Sequence, residues 1–332
     1  MNVSAGSANP SSGPEFERTN ADRWTAAMRN GEFERAWQEG DRALAARIDY
    51  SGRNLGLRAV WRGTPLTGRH ILIRCWRGLG DTIQFIRYVP LLRPQVRSIT
   101  IEATEVLFPI LTRAMGIDRF LPLRDEKPSI AEQLDVVEIE ATELPFAFRT
   151  TLETIPNQVP YLQVDPAEIP SNPGTLNVGV CWKGGNWDLL RAIPLAAFRQ
   201  LSNTPHVAFW QLQRGPGKSE IGPSVFSFRN PKDNSLDLWP TARLVAALDL
   251  IISVDTMIAH LAGALAKPVW TLLHTNADWR WLQGRDDSPW YPTMRLFRQT
   301  KSGDWTPVIN YVAESLATAA GQHSPPPVSK FC

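Results

Sequence analysis

The chain has 332 residues, 43% hydrophobic and 20% charged, with a formal net charge of +2. That length suits two domains, and the composition is that of an ordinary globular protein. Near-neutral charge gives no footing for nucleic acid, and no run approaches the roughly 18 apolar residues of a membrane span, so neither partner is expected.

In chain order, residues 1–20 are rich in Ser, Gly, Asn and Pro and are expected to be disordered. This stretch lacks the apolar core of a secretory leader, and Cys75, Cys181 and Cys332 form neither a disulfide framework nor a CxxC pair. A reducing, cytoplasmic setting is the expectation. Over 21–60, apolar residues recur at helical spacing on both sides of Asn30-Gly31, which predicts a helical hairpin resembling one tetratricopeptide repeat. A single repeat cannot form a solenoid, so the hairpin should dock on the rest of the chain.

The pattern then changes. HILIRCW, SITIEA and LDVVEI are β-rich runs separated by segments of helical length, which predicts βα units around a parallel sheet over 61–166. After the proline-rich VDPAEIPSNPGT the pattern restarts with LNVGVCW, VAFWQLQ, VFSFR, LDLIISV and PVWTLL, giving a second such unit over 175–318. The fold class is therefore α/β: two Rossmann-like, doubly wound domains facing across a cleft, with ligand expected at the carboxyl ends of the strands. Residues 319–332 read as a disordered tail.

Several corners carry candidate chemistry. In WRGLGDTIQFIRYVP the dinucleotide pattern GxGxxG fails, because Ile83 stands at the third glycine position. What is left is a strand, the turn Gly78-Leu79-Gly80, then Asp81-Thr82 and an amphipathic helix containing Gln84. Asp81 or Thr82 could simply cap that helix; alternatively, Asp81 projects into the crevice as a general base. In LDLIISVDTMIAHLAG, Asp255-Thr256 opens a helix whose unpaired N–H groups suit a phosphate, and His260 lies one turn on along the same face. Packing against backbone is the competing role for His260.

Two further loops offer cations. FWQLQRGPGKSE is not a P-loop, since Leu212 replaces its first glycine, but Gln213-Arg214 ends a strand and Arg214 could pair with a diphosphate. CWKGGNWDLLRAIPL brings Lys183, Asn186 and Arg191 to a glycine loop. The segment NADWRWLQGRDDSPWYPTMRLFRQ holds several of the thirteen tryptophans and reads as mainly structural. DxD, HExxH and GxSxG are all absent, so no sequence motif supports a metal-anchored diphosphate, a zinc protease or an α/β-hydrolase.

Taken in order, GLGDTIQFIRYVPLL, ISVDTMIAHLAGALAKPVW and DWRWLQGRDDSPWYPTMRLFRQ resemble the glycosyltransferase module found after tetratricopeptide repeats in many bacterial proteins. That module is similar to the lipopolysaccharide heptosyltransferases of glycosyltransferase family 9. The resemblance implies a GT-B fold and an inverting transfer from a nucleoside-diphosphate sugar to a hydroxyl of a glycan or protein acceptor, with no metal or other cofactor. It implies Asp81 as the base, Gly78, Gly80, Thr82 and Gln84 as the acceptor-side loop, and Lys183, Arg191, Gln213, Arg214, Asp255, Thr256 and His260 around the donor. Two departures stand out: Trp76-Arg77 where relatives commonly have Glu-Gln, and a loop shortened to GNWDLL before RAIPL. The rival function is a non-catalytic scaffold or nucleotide-sugar sensor that uses the hairpin to dock a protein partner.

Overall fold

The computed structural model describes residues 14–48, 61, 65–124, 135–170, 172–185, 188–221, 226–229 and 237–323. Each half is an all-parallel sheet. In the first, β1 (His70–Arg74), β2 (Ser98–Ala103), β3 (Arg119–Pro122) and β4 (Val136–Glu140) lie in the order β3-β2-β1-β4. In the second, β5 (Leu176–Cys181), β6 (Val207–Gln211), β7 (Leu250–Val254), β8 (Val269–Leu273) and β9 (Met294–Arg298) lie in the order β6-β5-β7-β8-β9. The central strands β5 and β7 are buried along their whole length, because helices cover both faces of a parallel sheet and leave no alternation of polar residues.

Two strands are additions to the sequence reading, and one expected strand does not form over its described residues. β3 and β9 are edge strands with arginines in their pattern, so neither carries a continuous aliphatic run. The expected strand VFSFR makes only an isolated parallel bridge, Arg229 to Trp210, among the described residues. Its aromatics serve packing instead: Phe226 meets Phe209 edge-on at 4.8 Å, and Phe228 stacks on Trp182 at 5.6 Å.

The hairpin is α1 (Pro14–Arg29) and α2 (Phe33–Ile48), broken where Gly31 takes a φ of +77°. The helix thus begins inside the stretch expected to be disordered; residues 1–13 and 49–60 lie outside the described residues. The first sheet is connected through α3 (Leu79–Phe85), α4 (Val89–Leu92), α5 (Phe108–Leu111) and α6 (Leu144–Ala147), and the second through α7 (Trp239–Ala247) and α8 (Met257–Ala264). The last helix, α9 (Thr306–His323), extends into the expected tail, of which 324–332 lie outside the described residues.

One apolar cluster runs from the hairpin through the first sheet into α8 and Trp290; a second lies between the other sheet and α9. The hairpin therefore packs against both halves. Trp24 meets Trp279 at 5.7 Å, Trp37 meets Phe146 at 5.8 Å, and the Trp37 indole donates to the Thr150 carbonyl at 2.7 Å. The tryptophan-rich segment is largely this glue, as its composition suggested. Arg87 reinforces the joint. Buried between the halves, it donates to the Trp290 carbonyl and to the Tyr161 hydroxyl, and its guanidinium lies 4.4 Å from the Tyr291 ring centre.

Candidate active site in the interdomain cleft

Both sheets reverse strand order beside a corner that carries a candidate residue. In the first sheet this happens between β1 and β4, in the second between β5 and β7. Loops leaving neighbouring strands there run to opposite faces and open a crevice. The two crevices meet in one cavity of about 890 Å³, lined from β1 by Arg77–Asp81, from β4 by Thr142 and Glu143, from β5 by Gly184 and Gly185, and from β7 by Asp255 and Thr256. The inner face of the hairpin completes the wall with Trp24, Trp37 and Leu44. A space of this size suits a nucleotide-sized ligand.

Asp81 turns out to be a capping residue with an exposed edge. It occupies the third position of α3, and its Oδ2 accepts the Gly78 N–H at 2.9 Å, satisfying a donor that the helix itself leaves free. Its other oxygen, Oδ1, accepts from the guanidinium of Arg280, which comes from the opposite half. Gly78 and Gly80 line the cavity beside it. Gly80 has a packing reason too: a Cβ there would lie 2.7 Å from His260 Cδ2, so glycine lets α3 and α8 approach. Thr82 and Gln84, expected on the acceptor side, are buried beneath the corner and do not line the cavity. Their side chains point into a helix face that must pack, which the loop reading overlooked.

The other corner is more self-contained. Thr256 caps α8, its Oγ1 accepting the Ile258 N–H at 3.2 Å and bonding the Ser253 hydroxyl at 3.0 Å. Asp255 is buried, which raises its carboxyl above the ordinary value, although Arg191 opposes this. Arg191 donates to the Asp255 carbonyl at 2.8 Å and lies 3.4 Å from its carboxylate. Burial, reinforced by the charges of Arg280, Arg87 and Arg191, holds His260 well below the usual histidine value, so its ring is neutral at pH 7. The Tyr291 phenol, held protonated by its burial, shares a hydrogen bond with His260 Nδ1 at 2.9 Å. The imidazole Nε2 faces Asp255 Oδ1 at 3.9 Å. His260 also stacks on Trp281.

The remaining donor-side candidates divide. Arg191 lines the cavity. Lys183, Gln213 and Arg214 do not. Lys183 Nζ lies 3.6 Å from Glu220. Gln213 is a staple between the β5 and β6 loops: its Oε1 accepts the N–H groups of Trp182 and Lys183 at 3.1 and 3.0 Å, and its Nε2 donates to the Lys183 and Arg214 carbonyls. Arg214 donates to Thr241 at 2.7 Å and to the Asp237 carbonyl at 3.2 Å. Strand spacing locates these side chains at a loop, but not the direction they turn. Asn186 lies outside the described residues.

The two departures in sequence find local partners. Arg77 pairs with buried Glu140 at 3.0 Å, and Trp76 covers the Arg74 guanidinium at 4.2 Å. Arg74 in turn pairs with Glu102, its register neighbour on β2. A charged network thus supports the floor of the corner.

Arg280 is the functional candidate that sequence reasoning passed over. It belongs to a short 3-10 turn, Trp279–Trp281, opened by Asp278, whose side chain accepts the Arg280 N–H. The guanidinium lies 2.9 Å from Asp278 and bonds Asp81; burial works against its charge, but Asp278, Asp81 and Asp255 more than offset this and raise its pKa. The Asp-x-Arg spacing after β8 was its only local signal. Among the described residues, no group of three His, Cys, Asp or Glu side chains is arranged to hold a metal.

Comparison with known proteins agrees with this architecture. No family model matches the chain. It is 27% identical over 307 residues to the protein FlbA of Caulobacter vibrioides, an alignment covering 77% of this chain and 48% of that one. The chain thus spans about half the length of the curated relative it matches. Among solved structures, it superposes on the E. coli ADP-heptose lipopolysaccharide heptosyltransferase II with a TM-score of 0.57 and 14% identity, covering 76% of this chain and 99% of the other. It superposes on a glycosyl transferase family 9 protein from Veillonella parvula with a TM-score of 0.55 and 12% identity, covering 78% and 98%. At such identities the likeness is one of fold, and that fold is the two-domain GT-B-like architecture of these transferases.

Proposed function

We propose that the chain is an inverting glycosyltransferase that moves a sugar from a nucleoside diphosphate to an acceptor hydroxyl. The observation that carries the reading is the meeting of Asp81 with the Gly184–Gly185 loop, Arg191 and the α8 start across one nucleotide-sized cavity. In this reading the diphosphate lies against the Asp255-Thr256 helix start. Gly184 lies beside that start, where a Cβ would be 3.4 Å from Thr256 Cγ2. The acceptor oxygen attacks the anomeric carbon from the face opposite the diphosphate and gives its proton to Asp81. The carbon–oxygen bond to the diphosphate breaks, and the nucleoside diphosphate leaves with the bonding pair. Inversion results from the single displacement, and the reading requires no metal or cofactor.

The hairpin docks on the rest of the chain, as its sequence led one to expect, and in this reading it also has a part at the site. Its inner face forms part of the cavity wall, which supports a role in bounding the acceptor. The name of the E. coli neighbour makes ADP-heptose the first donor to try. The test is a thermal-shift titration with ADP, UDP, GDP, TDP and CMP, followed by transfer assays with the sugar of the responding nucleotide. A ligand at 100 times its Kd adds about 2.7 kcal/mol to the folded state, a readable rise in midpoint. A nucleotide that binds without any transfer or hydrolysis of its sugar would instead favour a sensor or scaffold, a reading supported by the occupied state of the Asp81 carboxylate.

A further inference from the structure

The cavity is short of uncommitted positive charge for a diphosphate. Among the described residues, the cations lining it are Arg77, Arg191 and Arg280, and each faces a carboxylate: Glu140, Asp255, and the pair Asp81 and Asp278, respectively. Lys183 and Arg214 are engaged outside it. Arg280 differs from the other two in one respect. Its partner Asp81 belongs to the opposite half of the molecule, whereas Arg77 and Arg191 pair within their own halves. Its Nε is buried without a hydrogen-bond partner.

We propose that Asp81 holds Arg280 in place of the donor's diphosphate, and that the arriving diphosphate takes over the guanidinium and thereby frees Asp81 to act as the base. This rests on the transferase reading above and adds to it an order of events. A planar guanidinium bonds carboxylate and phosphate oxygens in the same forked geometry, so one can replace the other without rebuilding the site. Until the exchange, the Asp81 Oδ1 that would accept the acceptor's proton is occupied by Arg280. Asp278 on the other side keeps Arg280 charged and aimed during the exchange. The donor therefore binds before the acceptor can react, and without a donor the base stays paired.

The exchange predicts an opposition between two residues in nucleotide affinity. Asp81→Asn keeps an oxygen for the Gly78 N–H but removes the charge competing for Arg280. With ADP as the calorimetric probe, Asp81→Asn should bind several-fold more tightly than wild type, and Arg280→Gln should bind about tenfold or more weakly, in line with the strength of charge-assisted bonds to phosphate. In the double variant the gain from Asp81→Asn should vanish, since no guanidinium is left to release. Adenosine, which lacks the diphosphate, should bind all four proteins alike. Arg280→Lys keeps the charge without the fork and should fall between wild type and Arg280→Gln. Equal or weaker ADP binding by Asp81→Asn, or wild-type binding by Arg280→Gln, in folded proteins would overturn the exchange while leaving the transferase reading intact. If UDP, GDP and TDP as well as ADP fail to bind wild type, the donor site itself is refuted and the exchange with it.

Discussion

The corner after β1 and the corner after β7 look alike in sequence: each places an aspartate and a threonine where a strand hands over to a helix. The structure gives them opposite characters. At the second corner the threonine caps its own helix, and Asp255 is buried against Arg191 of the same half. At the first, the cap is a glycine, and Asp81 serves it from three residues inside while offering its other oxygen across the cleft. The side chain of Asp81 is 23% exposed and that of Asp255 is 8%. A carboxylate that must exchange a proton with a substrate needs this reach, and one that braces a phosphate-binding turn does not. Under the proposed transfer, this difference suits Asp81 to the role of base and Asp255 to that of support.

The largest expected effect breaks that comparison directly. General-base catalysis typically contributes about 10²–10⁴-fold, so Asp81→Asn should lower kcat by that order in a protein that still folds, with some loss of thermal midpoint because the amide oxygen keeps the cap but the ion pair with Arg280 is gone. Asp255→Asn should lower kcat much less. Steady-state kinetics of the two variants side by side decide the matter: equal losses would erase the distinction drawn between the corners.

Next come two glycines on which the packing of α3 and α8 depends. A Cβ on Gly263 of α8 would lie 2.3 Å from the Tyr291 ring, and one on Gly80 would lie 2.7 Å from the His260 ring. Both rings are buried, so neither can swing away cheaply. Gly263→Ala should cost about 1–3 kcal/mol in urea denaturation, the usual range for overpacking. Gly80→Ala should cost a comparable amount and should also weaken turnover, because it pushes α3, and Asp81 with it, away from α8. Loss of stability with unchanged kcat for Gly80→Ala would separate the packing from the chemistry.

These examples show what the sequence could and could not say. Nearly continuous aliphatic runs such as Leu250–Val254, interrupted only by Ser253, revealed the central strands because burial on both faces leaves no polar alternation. The edge strand Met294–Arg298 escaped notice because arginines interrupt it. Asp81 was legible as a corner residue, since glycines before a capping type mark such a turn locally. Arg280 was not, because the partner that gives it meaning is 199 residues away. Gln213 and Arg214 were found at the right loop but given the wrong direction. Periodicity locates a strand end, whereas the turn of a side chain there depends on partners such as Thr241 that sequence spacing does not connect.

A smaller effect tests the self-contained corner. The Thr256 hydroxyl is the side-chain cap of α8, and its loss should cost about 1 kcal/mol, with Thr256→Ser close to wild type. A thermal midpoint for Thr256→Ala equal to that of wild type would mean that the α8 start is held by its neighbours rather than by its cap.

The smallest effect concerns protons. His260 is held below the ordinary value of 6.5 in the folded protein by burial first and by Arg280, Arg87 and Arg191 after it. As pH falls through 6.5, the unfolded chain therefore takes up a proton that the folded chain refuses. Stability from this site is complete above that value and is lost as pH drops toward the folded one. One site can change stability by at most about 1.4 kcal/mol per pH unit, and less between pH 7 and 6, where the unfolded histidine is only partly charged. Asp255 works the other way: its folded value is raised from 3.8, chiefly by burial, so it favours the folded state in acid and loses that contribution as pH climbs through the raised value. Urea midpoints at pH 7 and pH 6 for wild type and His260→Gln isolate the histidine, since every other titrating group is shared. Wild type should lose more stability over that unit than His260→Gln. Equal losses would mean that His260 takes its proton in the folded state and bonds Asp255 as an imidazolium, which would make the second corner as charged as the first.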